Sequence, residues 1–426
     1  MKPKGITSVP FIALAIAAIT FSLVVGARAQ ELLYSFPAGW QGGSPLGALV
    51  FDQAGNLYGT ASAYGYRGNC TNIVGCGVVF ELSHGADGWT ETVLHTFSGG
   101  WDGGDPTSNL IVDTAGNLYG TTASGGNVAL CHHLGCGVAF ELSPPSSGAW
   151  KETVLHAFTG GKDGMQPMAG LIFDNAGNLY GTTQFGGSLS ACLGNGCGTV
   201  FELSPKPSGP WKEIVLRSFL GVDDGANPLS GLVFDTAENL YGTTAQGGSG
   251  YGGTVFRLSP LSGGAWQETV LYRFLGPPQD GFDPRSDLVF DVEGNLYGTT
   301  VYGGSAGIGA VFELSPGTNG AWKETLIASL TNSEEQGAFP LGGVVFDVGG
   351  SLWGTASSGG FNNNGGIFAL SPGSNGSWSI HQFDTFDGYT GALPAAGMIF
   401  DASGNLYGTT EEGGALGYGG VFEITP

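Results

Sequence analysis

The chain has 426 residues, 35 of them acidic and 13 basic, for a formal net charge of −22. That balance repels phosphate backbones and anionic lipid surfaces, so it argues against nucleic acid as a partner and leaves cations or neutral ligands such as sugars. Glycine, at 80 residues, is more than twice its usual share of about 7%, but the sequence is periodic and rich in Phe, Tyr, Leu and Val, unlike a disordered chain.

Residues 1–29 read as a secretory signal. Lys2 and Lys4 precede an apolar run from about Pro10 to Val25, and Ala27-Arg28-Ala29 supplies a small-x-small cleavage site. Cleavage is expected after Ala29. Residue 30 is Gln rather than Cys, which reads against a lipid anchor. Lys2, Lys4 and Arg28 are three of the 13 basic residues, which leaves 10 against 35 acidic residues from position 30 onward. No later stretch is long and apolar enough to span a membrane. The mature chain, 30–426, is therefore expected to be secreted or periplasmic, without a membrane span, and a monomer.

Next comes Glu31-Leu32-Leu33-Tyr34-Ser35-Phe36, a strand-like segment standing alone. Seven copies of one phrase follow, of which Asp174-Asn175-Ala176-Gly177-Asn178-Leu179-Tyr180-Gly181-Thr182-Thr183 is typical. The opening aspartates are Asp52, Asp113, Asp174, Asp235, Asp291, Asp347 and Asp401, spaced 61, 61, 61, 56, 56 and 54 residues apart. In the third copy four short segments read as strands. They are 170–174, 178–183, 198–203 and 211–219, each β-branched or aromatic and bounded by Gly, Pro, Asn or Ser. Four antiparallel strands repeated seven times predict an all-β, seven-bladed β-propeller. The last copy ends at Pro426 after its third strand, and 31–36 matches the missing fourth strand. The N-terminal strand is expected to complete the last blade and close the ring.

Turn chemistry accounts for the repeated phrase. The aspartate caps a tight hairpin and the glycine supplies a positive φ, so the seven aspartates are read as turn formers. One carboxylate per turn does not make a calcium site. Trp89, Trp150, Trp211, Trp266, Trp322 and Trp378 open the fourth strand and read as packing between outer strands.

The unit G-x-x-F-D-x-x-G-N-L-Y-G-T-T, followed by G-x-V-F-E-L-S-P and W-x-E-T-V-L, resembles the GloVer (Gloeo/Verruco) tandem-repeat family of exported bacterial proteins. The resemblance covers 31–426. The copy at Asp347, with Leu352-Trp353-Gly354-Thr355, is also similar to the propeller repeats of two-component regulators. The resemblance implies export and a propeller, and it brings no activity to any residue. The family's sorting anchors have no counterpart before Pro426, which favours free secretion or a periplasmic home as the expectation.

The loops that join blades carry Asp-Gly ahead of a proline, at Asp102, Asp163, Asp224, Asp280 and Asp387. Gln41 and Gln336 replace the aspartate in the other two copies. These residues read first as turns ahead of a strand. A second reading is a ring of carboxylates at one channel mouth, with calcium at Asp224 and Asp280. Trp40, Trp101 and Tyr389 nearby would suit stacking on a sugar. The histidines at 95 and 156 align with Tyr272 in another blade, and no nucleophile elbow, phosphate loop or zinc-protease motif occurs. The reading is a non-catalytic binding module, for a glycan, a cation or an extracytoplasmic protein, with no resident cofactor other than calcium. The alternative is a propeller lyase or hydrolase acting on a polysaccharide or small exported metabolite.

The six cysteines fall as Cys70/Cys76, Cys131/Cys136 and Cys192/Cys197, one pair before the third strand of each of the first three blades. An even count in an exported chain and equivalent placement predict three disulfides within loops. The rival is a zinc site at Cys131-His132-His133 and Cys136.

Overall fold

Each Asp-x-x-Gly-Asn phrase closes a short hairpin through one carboxylate. In the third repeat Oδ1 of Asp174 accepts the backbone N–H groups of Ala176 and Asn178, both at 2.8 Å. Its Oδ2 accepts Asn178 Nδ2 at 2.7 Å and the Tyr180 hydroxyl at 3.2 Å. Gly177 holds φ 84°, the left-handed conformation that an L side chain resists. In the sixth repeat Trp353 replaces the tyrosine, and its indole Nε1 donates to Asp347 at 3.0 Å. The hairpins carry two-residue inner strands such as Ile172–Phe173.

The computed structural model describes residues 30–68, 70, 74–206, 209, 211–332 and 337–426; the signal segment and Gln336 lie outside them. These residues form seven four-stranded antiparallel sheets, with short 3-10 turns and no α-helix. Blade 3 is typical, with strands Ile172–Phe173, Leu179–Thr183, Thr199–Ser204 and Lys212–Ser218 in that order. The seventh blade contains Ile399–Phe400, Leu406–Thr410 and Gly420–Ile424 from the end of the chain, and its outer strand is Gln30–Ser35. Leu32 pairs with Phe422 and Tyr34 with Val421, with a bulge at Leu33. Blade 3 has a bulge at the equivalent place, between the pairs Phe201–Val215 and Val200–Arg217. The N-terminal strand thus reproduces the geometry of an ordinary fourth strand, and the chain is a closed seven-bladed β-propeller.

The core lies between blades. Leu179 packs with Tyr119 of blade 2, whereas its neighbour Tyr180 packs with Leu240 of blade 4. This follows from strand alternation, which sends successive side chains to opposite faces. A phenylalanine just past the outer strand of six blades, and Leu330 in the fifth, then bridges to the next blade. Phe97 meets Phe140 edge-on at 5.3 Å, and Phe36 meets Phe80 at 5.1 Å across the closure. Both partners are fully buried in each pair. The tryptophans pack differently from the expectation. They reach back to the second strand of the preceding blade, as Trp266 does to Tyr180 with centroids 6.2 Å apart, because the tyrosine and not the outer strand fills that gap.

All three disulfides form within loops, Cys70–Cys76, Cys131–Cys136 and Cys192–Cys197, each with Cα atoms 5.4 Å apart. The sulfurs that a zinc ion would need are bonded to each other, so the zinc reading is set aside. Loops this small give about 2 kcal/mol per bridge in the chain-entropy model, a local effect. No helix among the described residues is long and apolar enough to cross a membrane.

Candidate functional site

The loops between blades and the loops between second and third strands emerge on one face. Bridges such as Gly104 with Ser124, Met165 with Phe185 and Ala392 with Glu412 tie each blade-joining loop to the next blade's loop. Proline locks the junction from the other side. Gly137 sits at φ 94°, and a Cβ there would meet Pro167 Cδ at 2.6 Å and the Thr122 carbonyl at 2.3 Å. Only glycine fits, so the loop face is a packed surface.

On that face each blade-joining aspartate is bonded inside its own loop. Asp102 accepts Ser98 N at 2.8 Å, with His95 Nε2 3.7 Å away. Asp163 accepts Thr159 N at 2.9 Å, with His156 Nε2 at 3.4 Å. Asp224 takes Arg217 at 2.5 Å and the amides of Leu220 and Gly221. Asp280 takes the Tyr272 hydroxyl at 3.0 Å and the amides of Leu275 and Gly281. Asp387, the most exposed, accepts the amides of Tyr389 and Thr390. Four of these aspartates close their loops onto the end of the same blade's outer strand, and Asp387 closes its loop on Tyr389 and Thr390. A guanidinium already faces Asp224, so that site offers a cation repulsion rather than convergent oxygens. No cluster of three or more metal-ligating side chains occurs among the described residues.

Behind these aspartates lies a second row of acids that the sequence reading passed over. In four of the five W-x-E segments the glutamate points from one blade toward the aspartate of the preceding one, and Glu91 of the first instead accepts Tyr34 and Gln41. Glu152 faces His95 and Asp102, Glu268 faces Arg217 and Asp224, and Glu324 faces Tyr272 and Asp280. Arg217 bridges Asp224 and Glu268, reaching the latter at 2.7 Å. Oε1 of Glu152, Glu268 and Glu324 is buried without a hydrogen-bond partner. Desolvation pushes all three carboxyls up to about 7. His95 and Arg217 pull against that rise at Glu152 and Glu268, and the neighbouring aspartates add to it in all three. At Asp102 and Asp163 burial is outweighed by the histidine and by Ser98 or Thr159, and the carboxyls lie below the usual range.

The channel has its own polar pair. The position four residues before each turn aspartate is Ala48, Asn109, Gly170, Gly231, Asp287, Gly343 or Gly397. Asn109 Nδ2 donates to Asp287 Oδ2 at 3.2 Å, and Gly231 N donates to Oδ1 at 2.5 Å. Asn109 in turn accepts Ala48 N at 2.6 Å. The Asp287 carboxylate is reached by solvent along the channel yet ringed by inner strands, and this crowding raises its pKa. Below the pair an apolar cavity of about 330 Å³ is lined by residues such as Val50, Ile111, Ile172 and Ile399. Above it the mouth narrows to about 150 Å³ among Leu46, Met168, Leu229 and Arg285. The His95 and His156 pairs line neither cavity; they sit in the walls between blades.

The aromatics take the remaining positions. Trp40 is 67% exposed, Trp101 68% and Tyr389 78%. Tyr389 lies in the loop from blade 6 to blade 7, Trp40 in the loop from blade 7 to blade 1, and Trp101 in the loop from blade 1 to blade 2. They occupy three consecutive junctions. Tyr64 and Tyr418 stack edge-on at 5.1 Å within the same sector.

What these features define is a β-propeller whose acid and histidine pairs are built into blade junctions and whose exposed aromatics form an arc. The chain belongs to the Gloeobacter/Verrucomicrobia repeat family, which matches residues 15–233, 131–328 and 239–426. No curated protein matches it. Among solved structures it is similar to the extracellular domain of a one-component system from B. thetaiotaomicron, at 10% identity and a TM-score of 0.50. That alignment covers 93% of this chain and 39% of the other, so the chain spans well under half of that relative. It is also similar to a Dyadobacter fermentans protein of unknown function, at 10% identity and TM-score 0.45, over 93% of this chain and 96% of that one. The periplasmic gluconolactonase of Pseudomonas aeruginosa aligns at 12% identity and TM-score 0.49, over 79% of this chain and 84% of that one. At such identities the likeness is one of fold.

Proposed function

We propose that the protein is an exported, non-catalytic binding propeller that holds a neutral glycan along the aromatic arc of its loop face. The observation that carries this is the placement of Tyr389, Trp40 and Trp101, exposed at three adjacent junctions. Large exposed aromatics in a row expose apolar area that soluble proteins otherwise cover, and flat rings stack on sugar faces. Several weak contacts on one rigid face add through effective concentration. The neighbouring carboxylates are engaged by their own loops, which leaves the rings as the accessible groups. Export agrees with the three disulfides. Catalysis by the histidines is disfavoured because His95 and His156 face acids inside the wall rather than a cavity.

A glycan array probed with the mature chain tests this. The native protein is expected to retain a neutral oligosaccharide class. Combined substitution of Trp40, Trp101 and Tyr389 by alanine is expected to weaken retention by tenfold or more, roughly the loss of two or three stacking contacts. The side chains are exposed, so melting should be unchanged. Equal retention by the variant would remove the arc from the binding account.

A further inference from the structure

The face opposite the loops, formed by the Asp-x-x-Gly-Asn turns, carries grooves between blades. The groove between blades 7 and 1 has a volume of about 660 Å³ and is walled by Phe400, Tyr407, Phe51 and Trp89. The groove between blades 5 and 6, about 480 Å³, repeats the set with Phe290, Tyr297, Phe346 and Trp378. Each has the same ring geometry, with Phe51 edge-on to Tyr407 and Phe346 edge-on to Tyr297, both at 5.1 Å. Between blades 1 and 2 the inner phenylalanine is replaced by Val112, and the groove there lacks the four-ring wall.

The same four-ring set stands around Tyr180 and Tyr241 at the junctions of blades 3 with 4 and 4 with 5, and acids flank both of the grooves described. Asp401, Asp52 and Glu423 line the first, and Asp291, Asp347 and Glu293 the second. Neither lining includes Lys or Arg; His84, edge-on to Trp89 at 5.1 Å, is the one other titratable group apart from the tyrosines. Three of the four turn carboxylates in the two grooves, Asp52, Asp291 and Asp401, already hold four donors each, and Asp347, where Ser351 replaces the asparagine, holds three. Asp401 takes the amides of Ser403 and Asn405 at 2.8 Å, Asn405 Nδ2 at 2.9 Å and Tyr407 OH at 3.3 Å. A carboxylate offers about four lone-pair directions, and all four are occupied. Such a group keeps its charge but has no acceptor left for a sugar hydroxyl, a primary ammonium or a guanidinium.

A groove with negative field, several ring faces and few free acceptors suits a cation that makes no hydrogen bonds. We propose that these two grooves bind the quaternary ammonium group of a small organic cation, held by cation–π contact and by the field of the turn carboxylates. Each ring set comes from two adjacent blades, so the sites exist only in the assembled ring. They lie on the face opposite the glycan arc and stand or fall apart from it.

The test is saturation-transfer NMR and calorimetric titration of the purified protein with choline, and with 3,3-dimethyl-1-butanol, its neutral carbon isostere. Choline is expected to bind about tenfold more tightly than the isostere, the ratio that a partly desolvated cation–π contact supplies. Its methyl protons should receive saturation from aromatic protons. The pair Trp89→Leu and Trp378→Leu should weaken this, and Glu423→Gln should weaken it in the first groove only. Equal binding of the two probes, or no transfer to choline at millimolar concentration, overturns the proposal. That comparison uses the native chain, so it decides even if the tryptophan variants unfold.

Discussion

A chain trimmed to begin at residue 37 is expected to lose far more stability than one trimmed to begin at residue 30. The missing segment pairs along Gly420–Ile424, and its removal bares that strand as an open edge in the seventh blade. It also removes Phe36, which is fully buried against Phe80 and belongs to the contact between blades 7 and 1. Loss of one buried phenylalanine costs about 3–5 kcal/mol, and the unpaired backbone adds to it. The expected total, about 5 kcal/mol or more, is a large part of the 5–15 kcal/mol that a folded domain usually has. Urea unfolding of the two chains measures the difference. A synthetic peptide of residues 30–36 added to the truncated chain should recover part of the loss, since it can refill the slot.

Stability is expected to peak in mildly acidic solution and to fall as the pH rises through neutrality. Glu152, Glu268 and Glu324 have folded-state pKa values of about 7, above their ordinary carboxyl values near 4.5. A raised acid holds its proton more tightly when folded. Its contribution is therefore full below about pH 4.5 and is lost as the pH passes through about 7. The turn aspartates work in the other direction. Partial burial opposes the charge of Asp52, Asp113, Asp174, Asp235 and Asp401, but the hydrogen bonds outweigh it and hold these five carboxyls low. That contribution is present above the unfolded pKa near 3.8 and is lost as the pH falls through the lower folded value. After allowance for partial solvent screening, each raised glutamate is worth on the order of 2 kcal/mol between pH 4.5 and 8. The combined change Glu152→Gln, Glu268→Gln and Glu324→Gln should flatten the neutral side of the profile and leave the acid side intact. A melting temperature that rises from pH 5 to pH 8 in the native chain contradicts this assignment.

The ring was legible in the sequence because three signals were independent: the period, the four strands per period and the orphan strand that matches the missing one. The turn phrase was legible for a related reason. Asp, Gly, Asn and Tyr each have a local role, and local hydrogen bonds leave a signature in a short window. The glutamates at 91, 152, 213, 268 and 324 recur just as regularly but were passed over. An acid in an outer strand reads as solvent-facing, and only the packing of the next blade shows that it is covered. Asn109 and Asp287 were also missed. The sign was present, since five of seven copies have Gly or Ala where these two stand, but their hydrogen bond spans 178 residues of sequence. The blade-joining aspartates lie in loops and line neither channel cavity. Their preference for their own outer-strand neighbours, His95, His156, Arg217 and Tyr272, depends on distances that no spacing rule supplies.

The claim that the protein binds without transforming is tested most directly by following its ligand. The oligosaccharide retained on the array should be incubated with the mature chain for a day across pH 5 to 8 and examined by mass spectrometry. The expected result is an unchanged ligand mass at every pH, with stoichiometric retention by the protein. Release of shorter, hydrated or unsaturated products in excess of the protein present would show turnover and contradict the account.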